Sequence, residues 1–192
     1  FANKYQGVTE FLSKKINKKN NEVMLIYNKK LSVAPITTHI PLNQVSSKIK
    51  KSVIVKKVKI INTFYKRYFN KKPNFAILGL NPHNLSPSKK SEEKKIIYKA
   101  IRALKKFKIK VTGPVPTDSS FMIYKKYKFD VIIGMYHDQV LTPFKALYNY
   151  NAINITLGLP YIRISPDHGV AENITGKKIA SPRSLIESIK FF

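Results

Sequence analysis

Two rhythms of apolar and polar positions alternate along this chain. Short runs dense in β-branched and aromatic residues, bounded by Pro, Gly or Asn, predict strands. They are EVMLIYN (22–28), LSVAPITT (31–38), NFAILGL (74–80), KVTGPVP (110–116) and FDVIIGMY (129–136). AINITLGLPYIRI (152–164) predicts a further strand pair or one bent strand. Between these runs the apolar residues recur at helical spacing. Ile54, Val58, Ile61, Tyr65 and Tyr68 fall on one helical face. A second helix has a readable start: Ser91 caps it, Glu92 and Glu93 complement its positive end, and Ile97, Ala100, Ile101 and Leu104 form its apolar face. VTEFLSKKI (8–16) is short and helix-like, and Ser181 followed by Pro182 opens a last helix, SLIESIKFF, with Pro at its favoured first position. NLSPSKKSEE (84–93) reads as an exposed loop. Strands alternating with helices predict an α/β fold.

Composition narrows the picture less than it first suggests. A chain of 192 residues with 43% hydrophobic content suits one globular domain, or a domain with an appendage. No apolar run nears the ~20 residues of a membrane span, and neither a signal-peptide pattern nor a cysteine occurs. The chain reads as cytoplasmic, and its start at Phe1 rather than Met suggests a missing upstream part. A net charge of +26 is the electrostatic footprint of a nucleic-acid binder. Yet only Arg67, Arg102, Arg163 and Arg183 are arginines, and the lysines are spread along the chain as KK pairs beside apolar positions. Solvated helix and strand faces account for them better than a nucleic-acid groove does.

The candidate chemistry lies with the histidines. His39, His83 and His137 directly follow predicted strands, and in open α/β sheets ligands bind beyond the carboxyl ends of strands. With no cysteine, imidazoles and carboxylates are the ligands left for a transition metal. Separations of 44 and 54 residues exclude a zinc-finger pattern and suit a site assembled from separate loops, as in catalytic metal centres. A ring of this kind taken alone is more often a hydrogen-bonded core or loop residue than a metal ligand; three in one chain favour a site. Asp138 and Asp118 sit where they would orient a ring or join the ligands, or serve as plain turn and cap residues. Arg163, between Ile162 and Ile164, offers a planar fork for carboxylate or phosphate. No GxGxxG fingerprint occurs, so a conventional dinucleotide site is not supported.

The ordered string TTHIPL, GLNPH, TGPVPTD, MYHDQ, NITLGLPYIR and DHG resembles the 4-hydroxythreonine-4-phosphate dehydrogenase family of pyridoxal phosphate biosynthesis, from about GVTEF (7–11) to the C-terminus. The resemblance implies an isocitrate/isopropylmalate dehydrogenase-like sheet flanked by helices, incomplete at the N-terminus. Residues 1–168 would form the metal- and substrate-binding α/β domain, and 169–192 a C-terminal helical segment packing on a missing N-terminal domain. His39, His83 and His137 match the family's ligands to one divalent cation (zinc, magnesium or cobalt), two from one subunit and the third from its partner in a homodimer. Lys145, Asn154, Arg163 and Thr9 match substrate-binding residues, and Lys145, Asp138 and Asp118 the catalytic set. His168 matches no ligand and is read as structural. The implied reaction oxidises the secondary hydroxyl of 4-phosphohydroxy-L-threonine with NAD or NADP, and decarboxylation to 3-amino-2-oxopropyl phosphate follows. Val8 stands where the family has a substrate-contacting His, and NLSPSKKSEE replaces its Gly-rich loop. Three rival readings are a paralogue acting on threonate or erythronate 4-phosphate, a lysine-rich nucleic-acid module, and an inactive remnant.

Overall fold

The computed structural model describes residues 11, 15, 16, 21–84, 91–167, 169 and 171–191. The helix expected over 8–16 lies almost wholly outside them. Seven strands form one mixed sheet: β1 (Val23–Tyr27), β2 (Ser32–Pro35), β3 (Phe75–Leu78), β4 (Val111–Val115), β5 (Val131–Gly134), β6 (Ile153–Leu157) and β7 (Arg163–Pro166). Their order is β4-β3-β5-β2-β1-β6-β7. The pairs β4/β3, β3/β5 and β5/β2 are parallel, whereas β1 runs antiparallel to both β2 and β6, and β7 antiparallel to β6. The stretch 152–164 is therefore a strand pair, turning at Gly158, whose φ of 82° is cheap only for glycine.

The parallel strands β2, β3 and β5 are buried throughout, which is why they read as continuous apolar runs rather than alternating ones. Their side chains feed two cores, one on each face. Phe75, Ile77, Val131 and Ile133 pack beneath helices α2 (Lys51–Phe69) and α3 (Tyr98–Lys106). Ala76, Leu78 and Ile132 face α5 (His137–Tyr148), with Val140 and Phe144 of that helix. The long α2 buries Ile54, Val58, Ile61 and Tyr65 as its spacing requires, and Asn70, left-handed at φ 47°, ends it. Tyr65 also ties it to the sheet, its hydroxyl 2.7 Å from Ser32 Oγ with both residues buried. The described residues include three shorter α-helices: α1 (Val45–Lys48), α4 (Thr117–Ile123) and α6 (Arg183–Ile189). The last packs on β6 and β7, through a Ser184 hydroxyl that donates to Ala152 O at 2.5 Å.

Two local expectations need correction. The helix after the 84–93 stretch opens as a π turn, Glu93–Ile97, and there Ser91 and Glu93 are buried rather than part of an exposed loop. Glu93 serves more than the helix terminus. Its carboxylate turns back to backbone groups 12 and 13 residues upstream, a long-range partner beside the local one. At the C-terminus, Pro182 is the cap residue and α6 begins one position later than predicted.

Candidate active site at the carboxyl edge of the sheet

Strands β2, β3, β4 and β5 all end on the same edge, and each delivers one candidate residue just beyond its end. His137 is the first residue of α5. Its Nδ1 lies 2.7 Å from Asp138 Oδ1, a contact that fixes the tautomer and leaves Nε2 for a ligand. His39 follows β2, and its ring centre is 5.8 Å from that of His137. The two loops are held in step by the backbone: Ile36 N donates to Gly134 O at 2.8 Å, Thr37 N to Met135 O at 3.2 Å, and Thr37 Oγ1 to the same carbonyl at 2.7 Å. With metal–nitrogen bonds of about 2.0–2.1 Å, two imidazoles on one ion hold their ring centres roughly 5–6 Å apart. The donor set and spacing suit a borderline divalent cation.

Both rings open onto a cavity of about 400 Å³, whose wall also carries Asp138, Lys145, Asn154 and Asp167. Lys145 Nζ lies 3.3 Å from Asp167 Oδ1, and Asp167 is only 5% exposed. Among the described residues, the remaining oxygen of Asp167 and the side-chain oxygen of Asn154 are buried without a hydrogen-bond partner. A buried acceptor left unsatisfied costs about 1–3 kcal/mol, so these two atoms mark a wall built to receive donors. Arg163 lies on the neighbouring strand, opposite Thr156, and donates to Thr156 Oγ1 at 3.3 Å. Register puts Asn154, Thr156, Arg163 and Ser165 on one face of the β6–β7 ribbon.

His83 stands apart from that cavity. It lines a second one of about 360 Å³, with Asn81, Thr117, Asp118, Tyr136 and Gln139. Its Nδ1 is 3.4 Å from Asp118 Oδ2, and both side chains are well exposed. The GLNPH loop reaches this position through left-handed residues, His83 at φ 53° and Asn84 at φ 56°. Gly79 leaves the space that Asn84 fills, since a Cβ there would lie 1.7 Å from Asn84 Oδ1. Glu93 then clamps the loop, accepting from Leu80 N and Asn81 N at 2.8 Å each and from the Asn81 amide at 2.9 Å. Burial works to raise the Glu93 pKa, but the hydrogen bonds from Asn81, from its own backbone and from Leu80 together outweigh it and hold it below the ordinary value. Ser46 donates to Glu92 beside it, and that bond lowers the Glu92 pKa.

The fold thus brings together His39, His137, Asp138, Lys145 and Asn154, and puts His83 with Asp118 in an adjoining pocket. Among the described residues of one chain, no cluster of three His, Asp or Glu side chains closes on a single point. Thr9 and His168 lie outside the described residues. Sequence reasoning passed over Asp167 and Gln139, and read Glu93 only as an acid at a helix start. Asp167 and Gln139 sit inside the very motifs, DHG and MYHDQ, that were read for their histidines.

Comparison with known proteins converges on one assignment. The family model described as pyridoxal phosphate biosynthetic protein PdxA matches residues 2–192. A 4-hydroxythreonine-4-phosphate dehydrogenase from Sulfurihydrogenibium sp. (strain YO3AOP1) is 46% identical over 188 residues, covering 97% of this chain and 58% of that protein. One from Aquifex aeolicus is 42% identical over 187 residues, with the same coverage of both chains. The crystal structure of the enzyme so named from Klebsiella pneumoniae superposes with a TM-score of 0.82 at 35% identity, over 98% of this chain and 57% of its own. The chain therefore spans somewhat over half the length of the curated relatives it matches.

Proposed function

We propose a function from one premise: this chain belongs to the PdxA family of pyridoxal phosphate biosynthetic proteins. In this reading it is the metal- and substrate-binding part of a dehydrogenase. The enzyme oxidises the secondary hydroxyl of 4-phosphohydroxy-L-threonine with NAD or NADP, and the resulting β-keto acid decarboxylates to 3-amino-2-oxopropyl phosphate. The observation that carries it is the pairing of His39 with His137 at the mouth of a cavity that also holds Lys145 and Asn154. A divalent cation bound by these rings supplies Lewis acidity to the alcohol oxygen, and the nicotinamide supplies the hydride acceptor.

The chain's own residues do the rest. Asp138 holds His137 in the tautomer whose Nε2 faces outward. Lys145, 3.3 Å from Asp167, gives the cavity a cation for an anionic substrate group and a donor near the developing negative charge. Asn154 and Arg163, on one ribbon face, bind the substrate's polar groups, with Thr9 a further contact in the family pattern. His83 and Asp118, exposed in their own pocket, complete the site of a second subunit in a homodimer, where His83 becomes the third imidazole. No helix among the described residues is long and apolar enough to cross a membrane.

The test is a reduction assay with 4-phosphohydroxy-L-threonine and NAD or NADP, run with and without a chelator. Turnover that the chelator abolishes, that His137→Ala lacks and that threonate 4-phosphate does not elicit supports this reading. Absence of turnover by the intact protein, with zinc, magnesium and cobalt each supplied, would end it.

A further inference from the structure

Gln139 is a buried amide, 5% exposed, two residues beyond the candidate ligand His137. Its side chain makes three hydrogen bonds, each to a different segment. Oε1 accepts from Met135 N at 2.6 Å, in the loop after β5. Nε2 donates to Gly79 O at 2.7 Å, in the loop after β3. The second N–H goes to Thr117 Oγ1 at 2.9 Å, where β4 passes into α4. Those three segments carry His137 with Asp138, His83, and Asp118 respectively. Glycine at 134 leaves room for the arrangement, because a Cβ there would come within 2.5 Å of Val140 and 3.1 Å of Gln139 Oε1.

We propose that Gln139 is the positioning residue of this site: one amide sets the loop that presents His137 against the loops that present His83 and Asp118. The inference rests on the metal reading above and adds to it a residue that touches neither metal nor substrate. The chemistry calls for an amide at this point. The three partners comprise one N–H donor, one carbonyl acceptor and one hydroxyl that accepts, and only a primary amide of this length both accepts once and donates twice. A carboxylate would meet the Gly79 carbonyl lone pair with its own. A thioether would leave a buried carbonyl and a buried amide N–H unsatisfied.

Zn²⁺ affinity of the intact protein, with Zn²⁺ as the only added ligand and a chromophoric chelator as competitor, tests this. Gln139→Met keeps the volume and removes all three bonds. It is expected to retain the wild-type circular dichroism while its Zn²⁺ affinity falls about tenfold or more, the usual cost of losing a residue that orients metal ligands. A control separates positioning from general destabilisation. Asn74, 5% exposed at the far end of β3, donates to Tyr127 O and Lys128 O, and Asn74→Ala should leave Zn²⁺ affinity unchanged. Should Gln139→Met fail to fold, Thr117→Val removes a single bond and must show the loss instead. Equal affinities in wild type and variant, or an equal loss in the Asn74 control, overturn this inference alone. A wild type that takes up no Zn²⁺ overturns the metal reading and the inference together.

Discussion

Asp138 shows how little separates a turn residue from one that orients a metal ligand. Its carboxylate is exposed and would pass for a helix N-terminal acid, yet it sits 2.7 Å from the His137 ring nitrogen. Replacing it with Asn keeps the shape and removes the charge that holds the ring. Asp138→Asn should weaken Zn²⁺ binding by about 10–100-fold, read by chelator competition, with little change in thermal stability. Glu93 acts by a different route, since it holds the GLNPH backbone rather than a ring. Its pKa in the folded state is depressed, so its contribution is fully present above the ordinary value of 4.5 and fades as pH falls through the lower folded value. Glu93→Gln should cost about 1–3 kcal/mol at neutral pH. The stability difference between variant and wild type should shrink on acidification below pH 4.5, measured by urea unfolding across that range.

The elements were largely legible in advance, because what specifies each is local. α2 declares itself through the period of Ile54, Val58, Ile61 and Tyr65, and β3 and β5 through unbroken apolar runs. What local pattern does not encode is which elements meet. The insertion of β1 antiparallel between β2 and β6 left no mark on the spacing. Neither did the Gln139 contact with Gly79, which spans 60 residues, or the reach of Glu93 beyond its own helix. The histidines were visible because each followed a strand; their division between two pockets was not, since it depends on how far each loop reaches. The join between α2 and the sheet offers a test at this scale. Tyr65→Phe leaves Ser32 Oγ, on a fully buried residue, without its partner. A loss of about 1–3 kcal/mol is expected in denaturant unfolding, with no effect on Zn²⁺ affinity.

For the molecule as a whole, the proposed reading joins the separation of His83 from His39 and His137 to assembly. If each site takes two rings from one subunit and the third from its partner, the two kinds of defect should complement. His83→Ala and His137→Ala homodimers are each broken at both sites. In a mixed dimer one site collects both defects and the other neither. Random re-assortment of equal amounts should therefore restore about a quarter of the wild-type tight Zn²⁺ sites. Recovery of none would place all three rings within one subunit, or place His83 elsewhere. The charge of +26 is a matter for the same scale. Its lysines are spread over the surface, where they favour encounter with anionic substrates without specifying one.

The place of β1 in the sheet carries a consequence for synthesis. Its sequence, VMLIY, pairs along one side with β2, which leaves the ribosome only a few residues later. The other side pairs with Ile153–Leu157, more than a hundred residues downstream. Throughout that interval a nascent chain holds out an apolar ribbon with a free row of amides and carbonyls, the kind of template on which neighbouring polypeptides pair. Emergence of the Asn154 ribbon, which brings part of the cavity wall, is also the event that closes this hazard.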